Sequence, residues 1–186
     1  MKYLVLSDTH GRLGPAEQII KSLSDIDGIL HLGDYQRDGE QLKAKTGLPV
    51  VSLKGNMDGS FDPDGYVILK TEFGELYLSH GHMESVKFGP ENLLYKASAL
   101  GCKAALFGHT HVPLFQEIQG MYLLNPGSLT NPRGGRRGSY AVLTVEKETF
   151  SATIFYVEEG PAAGLPQKRG EAAGFLRGRF NDSDGQ

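Results

Sequence analysis

Three short apolar runs, residues 3–6, 28–32 and 50–53, are separated by stretches of helical pattern, and this alternation constrains the fold more than any other feature. Strands joined by crossovers of a dozen or more residues pair in parallel, with the intervening helices packed on a sheet face. In the first crossover Pro15 suits a first helical turn, and Ile19, Ile20 and Leu23 supply an apolar stripe. In the second, a polar helix is expected over 39–45, stopped by Gly47 and Pro49. Each run ends in a polar pair or triplet: Ser7-Asp8, Gly33-Asp34 and Gly55-Asn56.

The second half reads differently. Runs 66–71 and 76–79 flank Phe73-Gly74, runs 112–118 and 121–124 flank Gln119-Gly120, and runs 140–145 and 150–157 flank Glu146-Lys147-Glu148. These are three hairpin patterns. A helix is expected over 90–100 and a further strand over 104–107. The expected architecture is an α/β sandwich of two packed mixed sheets flanked by helices, in one domain over 1–160. A flexible tail is expected over 161–186, with Phe175, Leu176 and Phe180 as the residues a docking arm would use.

Composition narrows the class. With 186 residues, 39% hydrophobic and 22% charged, the chain can build one ordinary core. Its net charge of −3 argues against bulk electrostatic capture of long nucleic acid. The single cysteine, Cys102, excludes an internal disulfide and a multi-thiolate zinc site. No apolar run approaches the ~20 residues of a membrane span, and the start breaks too early for a secretory signal. The expected compartment is the cytoplasm.

The polar chemistry is concentrated. Asp8-Thr9-His10, Gly33-Asp34, Gly55-Asn56-Met57-Asp58, His80-Gly81-His82 and Gly108-His109-Thr110-His111 each follow an apolar strand. In open α/β sheets ligands bind beyond the carboxyl ends of strands. Five of the six histidines fall in three of these clusters. Imidazole nitrogens and carboxylate oxygens without thiolates suit Mn²⁺, Fe, Zn²⁺ or Ni²⁺. The set is too large for one tetrahedral ion and fits two ions sharing a carboxylate.

These five clusters match, in order, the motifs of the calcineurin-like metallophosphoesterases, and the chain resembles their small bacterial and archaeal phosphodiesterase branch of YfcE type over roughly residues 1–157. Asn125-Pro126-Gly127-Ser128 followed by Pro132-Arg133 resembles the same branch. The resemblance implies two divalent metal ions, with Mn²⁺ first in order. Asp8, His10 and His111 would hold one, Asn56, His80 and His109 the other, and Asp34 would bridge them. It implies hydrolysis of a small phosphodiester by in-line attack of a metal-bridging hydroxide. Asp34, Asn56, His82 and Asp58 are the candidate catalytic residues and Arg133 the candidate substrate contact.

One position departs from the pattern. Many members of the resembled family carry a histidine after Gly-Asn, assigned as general acid or phosphate contact; here it is Met57, which can be neither. A steep dependence on the leaving group is therefore expected, with His82 or Asp58 as the replacement acid if it is absent. His31, opposite in strand phase to Asp34, is expected to be a buried, hydrogen-bonded histidine. Asp58 is expected to orient its neighbours rather than bind metal. Arg12 is weighed as a phosphate contact against a plain surface residue. The alternative function is a protein-binding module on the same scaffold, as in the retromer branch of this family. The partners expected are a small phosphodiester and, through the β-rich half or the tail, a second copy of the chain; a membrane and long nucleic acid are not expected.

Overall fold

The computed structural model describes residues 1–59, 65–135 and 137–157; the expectations for the 161–186 tail lie outside them. The elements run β1 (Lys2–Leu6), α1 (Gly14–Ser22), β2 (Gly28–His31), α2 (Gln36–Thr46), β3 (Val50–Ser52), β4 (Tyr66–Lys70), β5 (Glu75–Ser79), α3 (Glu91–Ala99), β6 (Ala104–Leu106), β7 (Leu114–Ile118), β8 (Met121–Asn125), β9 (Ser139–Glu146) and β10 (Thr149–Tyr156).

They form two five-stranded mixed sheets, ordered β10-β9-β1-β2-β3 and β4-β5-β6-β8-β7. β1, β2 and β3 are parallel, with Leu4 opposite Ile29 and Leu30 opposite Val51. β5, β6 and β8 are parallel in the second sheet, with Leu78 opposite Leu106 and Leu106 opposite Leu124. The three hairpins form as the turn residues indicate. The last of them, β9-β10, returns to the first sheet and lays β9 antiparallel to β1, with Val5 opposite Ala141.

Side-chain alternation sorts the core into three layers. Tyr3, Val5, Leu30 and Leu32 face Leu76, Leu78, Leu106 and Leu124 between the sheets. Leu4, Leu6 and Ile29 turn outward onto Ala16 and Ile19 of α1 and Leu42 of α2. Tyr77, Ala105 and Leu123 turn outward onto Leu93 and Ala97 of α3. Cys102 is buried in that last layer as a small hydrophobe.

The elements differ from the expected bounds in one instructive place. α2 begins at Gln36, three residues before the expected start. Its opening N–H groups are satisfied from a distance: the Asp58 carboxylate accepts the N–H of Tyr35 at 3.0 Å and of Gln36 at 2.7 Å. Orphan amides of a first turn need an acceptor, and here a residue beyond β3 provides it. The end at Gly47, φ 71°, is the expected left-handed glycine stop. Among the described residues no helix is long and apolar enough to cross a membrane.

Candidate metal centre

The carboxyl ends of β1, β2, β3, β5 and β6 converge on one edge of the sandwich, bringing the five polar clusters together. Asp8, His10, Asp34 and His111 each offer a ligand atom, and these atoms lie within 4.8 Å of one another. Beside them, His80 Nε2 lies 3.3 Å from Asp34 Oδ1 and 3.3 Å from Asn56 Oδ1. The His109 ring stands 5.1 Å from the His80 ring, centroid to centroid. Asp34 thus borders both groups.

The hydrogen bonds orient the rings and leave two inward atoms, Asp8 Oδ1 and His10 Nε2, without a partner. His111 Nδ1 bonds to the Asn131 carbonyl at 2.6 Å, and His80 Nδ1 to the Leu32 carbonyl at 2.8 Å. Each contact fixes the Nδ1–H tautomer and turns an Nε2 lone pair into the site. Asp8 Oδ2 accepts the Ser7 hydroxyl at 2.6 Å and the His109 N–H at 3.1 Å, while Asp8 Oδ1 is buried with no hydrogen-bond partner. His10 Nε2 is equally buried and unpartnered. Unmet buried donors and acceptors are costly, and a convergent set of nitrogen and oxygen lone pairs fits divalent cations.

The backbone carries the same signature. Asp8 (φ 54°), His10 (48°), Asp34 (53°), Tyr35 (73°), His109 (63°) and His111 (60°) all adopt the left-handed region. Non-glycine residues enter that region at a cost of roughly 1–3 kcal/mol each, and such strain clusters at functional sites. Glycines beside them permit the crowding: a Cβ on Gly33 would meet His80 Nδ1 at 2.7 Å, and one on Gly108 would collide with Ser7 Oγ and meet Asp8 Oδ2 at 2.9 Å.

Electrostatics follow from burial and mutual contact. Burial pushes the Asp8 carboxyl up, but the His111 ring, the His80 charge and the Ser7 hydroxyl outweigh it and hold it at about 2. Burial pulls His109 down to about 4, reinforced by His80 and Lys87. Burial also lowers His82, with His80 adding to it. His111 is raised: its burial is outweighed by Asp8.

The other residues singled out by sequence take distinct places. Asp58 accepts the Gly55 N–H at 2.7 Å in addition to the two α2 amides, so its carboxylate is committed to backbone donors. Met57 is 54% exposed and donates its N–H to Asp34 Oδ1 at 3.1 Å. His82 packs 5.4 Å from His80 and 6.1 Å from His109, centroid to centroid, with a buried, unpartnered Nδ1. Arg133 is exposed, and its N–H bonds to the His111 carbonyl at 3.0 Å. Arg12 is exposed in the β1–α1 loop. His31 is fully buried with Nε2 2.8 Å from Thr9 Oγ1, which itself donates to Asp38 Oδ2 at 2.7 Å. The Asn125–Ser128 turn braces the edge: Asn125 Nδ2 donates to the Gly108 carbonyl at 2.8 Å, and Ser128 Oγ to the Asp8 carbonyl at 2.8 Å.

Three residues here carry no sequence signal. Tyr35 sets its ring edge-on to His10 at 5.6 Å. Buried Asp38 takes the Thr9 hydroxyl and the Gly11 N–H. Buried Glu84 accepts from Tyr77, Ser79 and Lys96, pinning the loop of His80 and His82 to α3.

Fold and site together define a sandwich whose strand ends carry a histidine–carboxylate centre of metal-binding type. The model of the calcineurin-like phosphoesterase superfamily domain matches residues 1–148, and the chain belongs to that family. It is 32% identical over 162 residues to a probable metallophosphoesterase of Bacillus subtilis, YsnB, covering 86% of this chain and 93% of that one. It is 30% identical over 170 residues to the phosphodiesterase YfcE of Escherichia coli, covering 77% and 87%. The fold also superposes on zinc-complexed Vps29 of Entamoeba histolytica with a TM-score of 0.71 at 21% identity, covering 87% and 95%.

Proposed function

We propose that the protein is a dimetal-dependent phosphodiesterase acting on small phosphodiesters in the cytoplasm. The observation that carries this reading is Asp34 bordering two donor groups, the first with Asp8 Oδ1 and His10 Nε2 buried and unpartnered, the second with His80 Nε2 3.3 Å from Asp34 Oδ1. Asp8, His10 and His111 would hold one divalent ion with Asp34, and Asn56, His80 and His109 the other with Asp34. Mn²⁺ is the ion we assign first, from the family resemblance; the nitrogen and oxygen donors also suit Fe, Zn²⁺ and Ni²⁺. Such an ion pair supplies Lewis acidity, activating water and offsetting charge on phosphoryl oxygens.

The chain's own residues do the rest. Asn131 and Leu32 hold His111 and His80 in the ligating tautomer. Asp58 ties the Asp34 loop to the Asn56 loop through three backbone donors. Arg133, anchored at His111, presents a guanidinium to a phosphoryl oxygen. Kinship with a phosphodiesterase supports the diester over the monoester.

The test is hydrolysis of bis(p-nitrophenyl) phosphate against p-nitrophenyl phosphate, with and without Mn²⁺, beside Asp34→Asn. Metal-dependent diester turnover that the variant loses is the expected result. The second reading, a protein-binding module, is favoured by the likeness to Vps29; a folded protein that turns over neither ester with any divalent ion would replace the first reading with it.

A further inference from the structure

The arginines are not scattered. The four in the described residues, Arg12, Arg37, Arg133 and Arg137, all lie beyond the carboxyl end of β1, β2 or β8, on the edge that carries the metal-type centre. Lysines are divided between the edges: Lys2, Lys70, Lys103 and Lys147 lie on the opposite one, while Lys54 and Lys87 follow β3 and β5 on this one. Among the described residues no carboxylate forms an ion pair with any of the four arginines. A chain of net charge −3 thus gathers, around one site, guanidinium groups that no described carboxylate pairs.

Arg37 is the best defined of them. Its guanidinium carbon lies 5.0 Å from the centroid of the Tyr35 ring. That ring stands edge-on to His10 at 5.6 Å. Tyr35 is itself held at φ 73° by the bond from its N–H to Asp58. The ring is thus a shelf that neighbours both His10 of the metal-type centre and the guanidinium. Stacking on an aromatic face costs a guanidinium none of its in-plane N–H donors. Removing rotamer freedom beforehand makes each such donor more effective in binding. Across the centre, Arg137 stacks likewise on Tyr156 at 5.2 Å.

We propose that Arg37, shelved on Tyr35, is a subsite for a second phosphate, so that the substrate is a phosphodiester carrying a further phosphate next to the one cleaved. This rests on the phosphodiesterase reading. An arginine one ring away from His10 is too far out to serve the reacting phosphorus alone and well placed for the next anionic group along a chain. Selectivity then comes from charge at the rim of the site.

The test compares the dinucleoside monophosphate TpT with its 5′-phosphorylated and 3′-phosphorylated forms. Inhibition constants are measured against bis(p-nitrophenyl) phosphate hydrolysis with Mn²⁺, and affinities for the Mn²⁺-loaded protein by calorimetry. One phosphorylated form is expected to bind about tenfold tighter than TpT, the size of one charge-assisted contact. Arg37→Ala is expected to bring that ratio close to one, and Tyr35→Ala to lower it. Tyr35→Phe, which keeps the shelf, and Lys43→Ala, which removes an exposed charge from the far half of α2, are expected to leave it. Equal binding of all three ligands, or a preference that survives Arg37→Ala, overturns the subsite. Absence of turnover in every metal overturns the phosphodiesterase reading alone, because the calorimetric ratio is read without catalysis.

Discussion

His111 Nε2 and Asp8 Oδ1 face each other at 3.0 Å, and each residue has its other polar atom engaged elsewhere. His111 Nδ1 is bonded to the Asn131 carbonyl, and Asp8 Oδ2 holds the Ser7 hydroxyl and the His109 N–H. Two lone pairs at that distance repel unless a proton or a cation lies between them. The raised pKa of His111, driven by Asp8 against its own burial, expresses the same need in protons.

Protons and metal ions therefore compete for this gap. Metal binding must displace the proton that Asp8 favours on His111, so affinity is expected to fall as pH drops through the raised His111 pKa, above its ordinary 6.5. Calorimetric titration with Mn²⁺ in buffers of differing ionisation enthalpy measures this directly. Proton release is expected near pH 7 and is expected to shrink in His111→Asn. Uptake independent of pH would contradict it.

Gly55 is the second point of leverage. A Cβ there would collide with both the side-chain Oδ1 and the backbone N of Asp34. Rotating the Asp34 side chain cannot relieve the backbone collision, so the β2 and β3 loops must part. Gly55→Ala is expected to cost about 1–3 kcal/mol of stability, the usual penalty for overpacking, together with most of the metal affinity. Gly14→Ala, where a Cβ meets nothing within 4 Å, is expected to be neutral or stabilising by about 0.4–1 kcal/mol. Urea midpoints of the two variants give the comparison.

The strand ends were legible because parallel strands leave a run of buried apolar residues and then a polar cluster, and five such boundaries stand out between residues 8 and 111. What was not legible is long-range. The start of α2 is written in Asp58, which caps it from beyond β3. The return of β9 and β10 to the first sheet is a pairing choice that no local pattern encodes. The left-handed backbone at His10, Tyr35, His109 and His111 runs against local preference and is imposed by the surrounding contacts. Glu84 sits in an ordinary polar stretch, and only folding reveals that Tyr77, Ser79 and Lys96 close around it.

His31 makes stability depend on acid. Burial holds its pKa at about 4, against an unfolded value of 6.5, with Asp38 opposing the shift. The native state therefore binds fewer protons than the unfolded chain between these values. This contribution is present above pH 6.5 and is lost as pH falls toward 4. At pH 5 the loss amounts to about 2 kcal/mol. His31→Gln keeps a donor for Thr9 Oγ1 without the titration, so its stability is expected to fall less between pH 7 and pH 5 than that of the parent chain. Parallel acid limbs for the two proteins in urea melts would remove His31 from the account.

In the proposed hydrolysis, Met57 bears on how the leaving group would depart. Its side chain is exposed and cannot donate a proton, and only its backbone N–H is used, on Asp34. Asp58 is committed to three backbone donors. His82 is held below its ordinary pKa, first by burial and then by His80, and is therefore neutral near pH 7. With no acid in place, an alkoxide must leave unassisted, whereas nitrophenolate needs little help. General-acid assistance is worth typically 10²–10⁴-fold, so turnover is expected to fall steeply from nitrophenyl to alkyl diesters. Met57→His is expected to restore part of that range for alkyl diesters while changing bis(p-nitrophenyl) phosphate turnover little. If the parent chain shows a flat dependence on leaving-group pKa, and His82→Ala makes it steep, the proton comes from His82 and the lowered pKa is offset in the substrate complex.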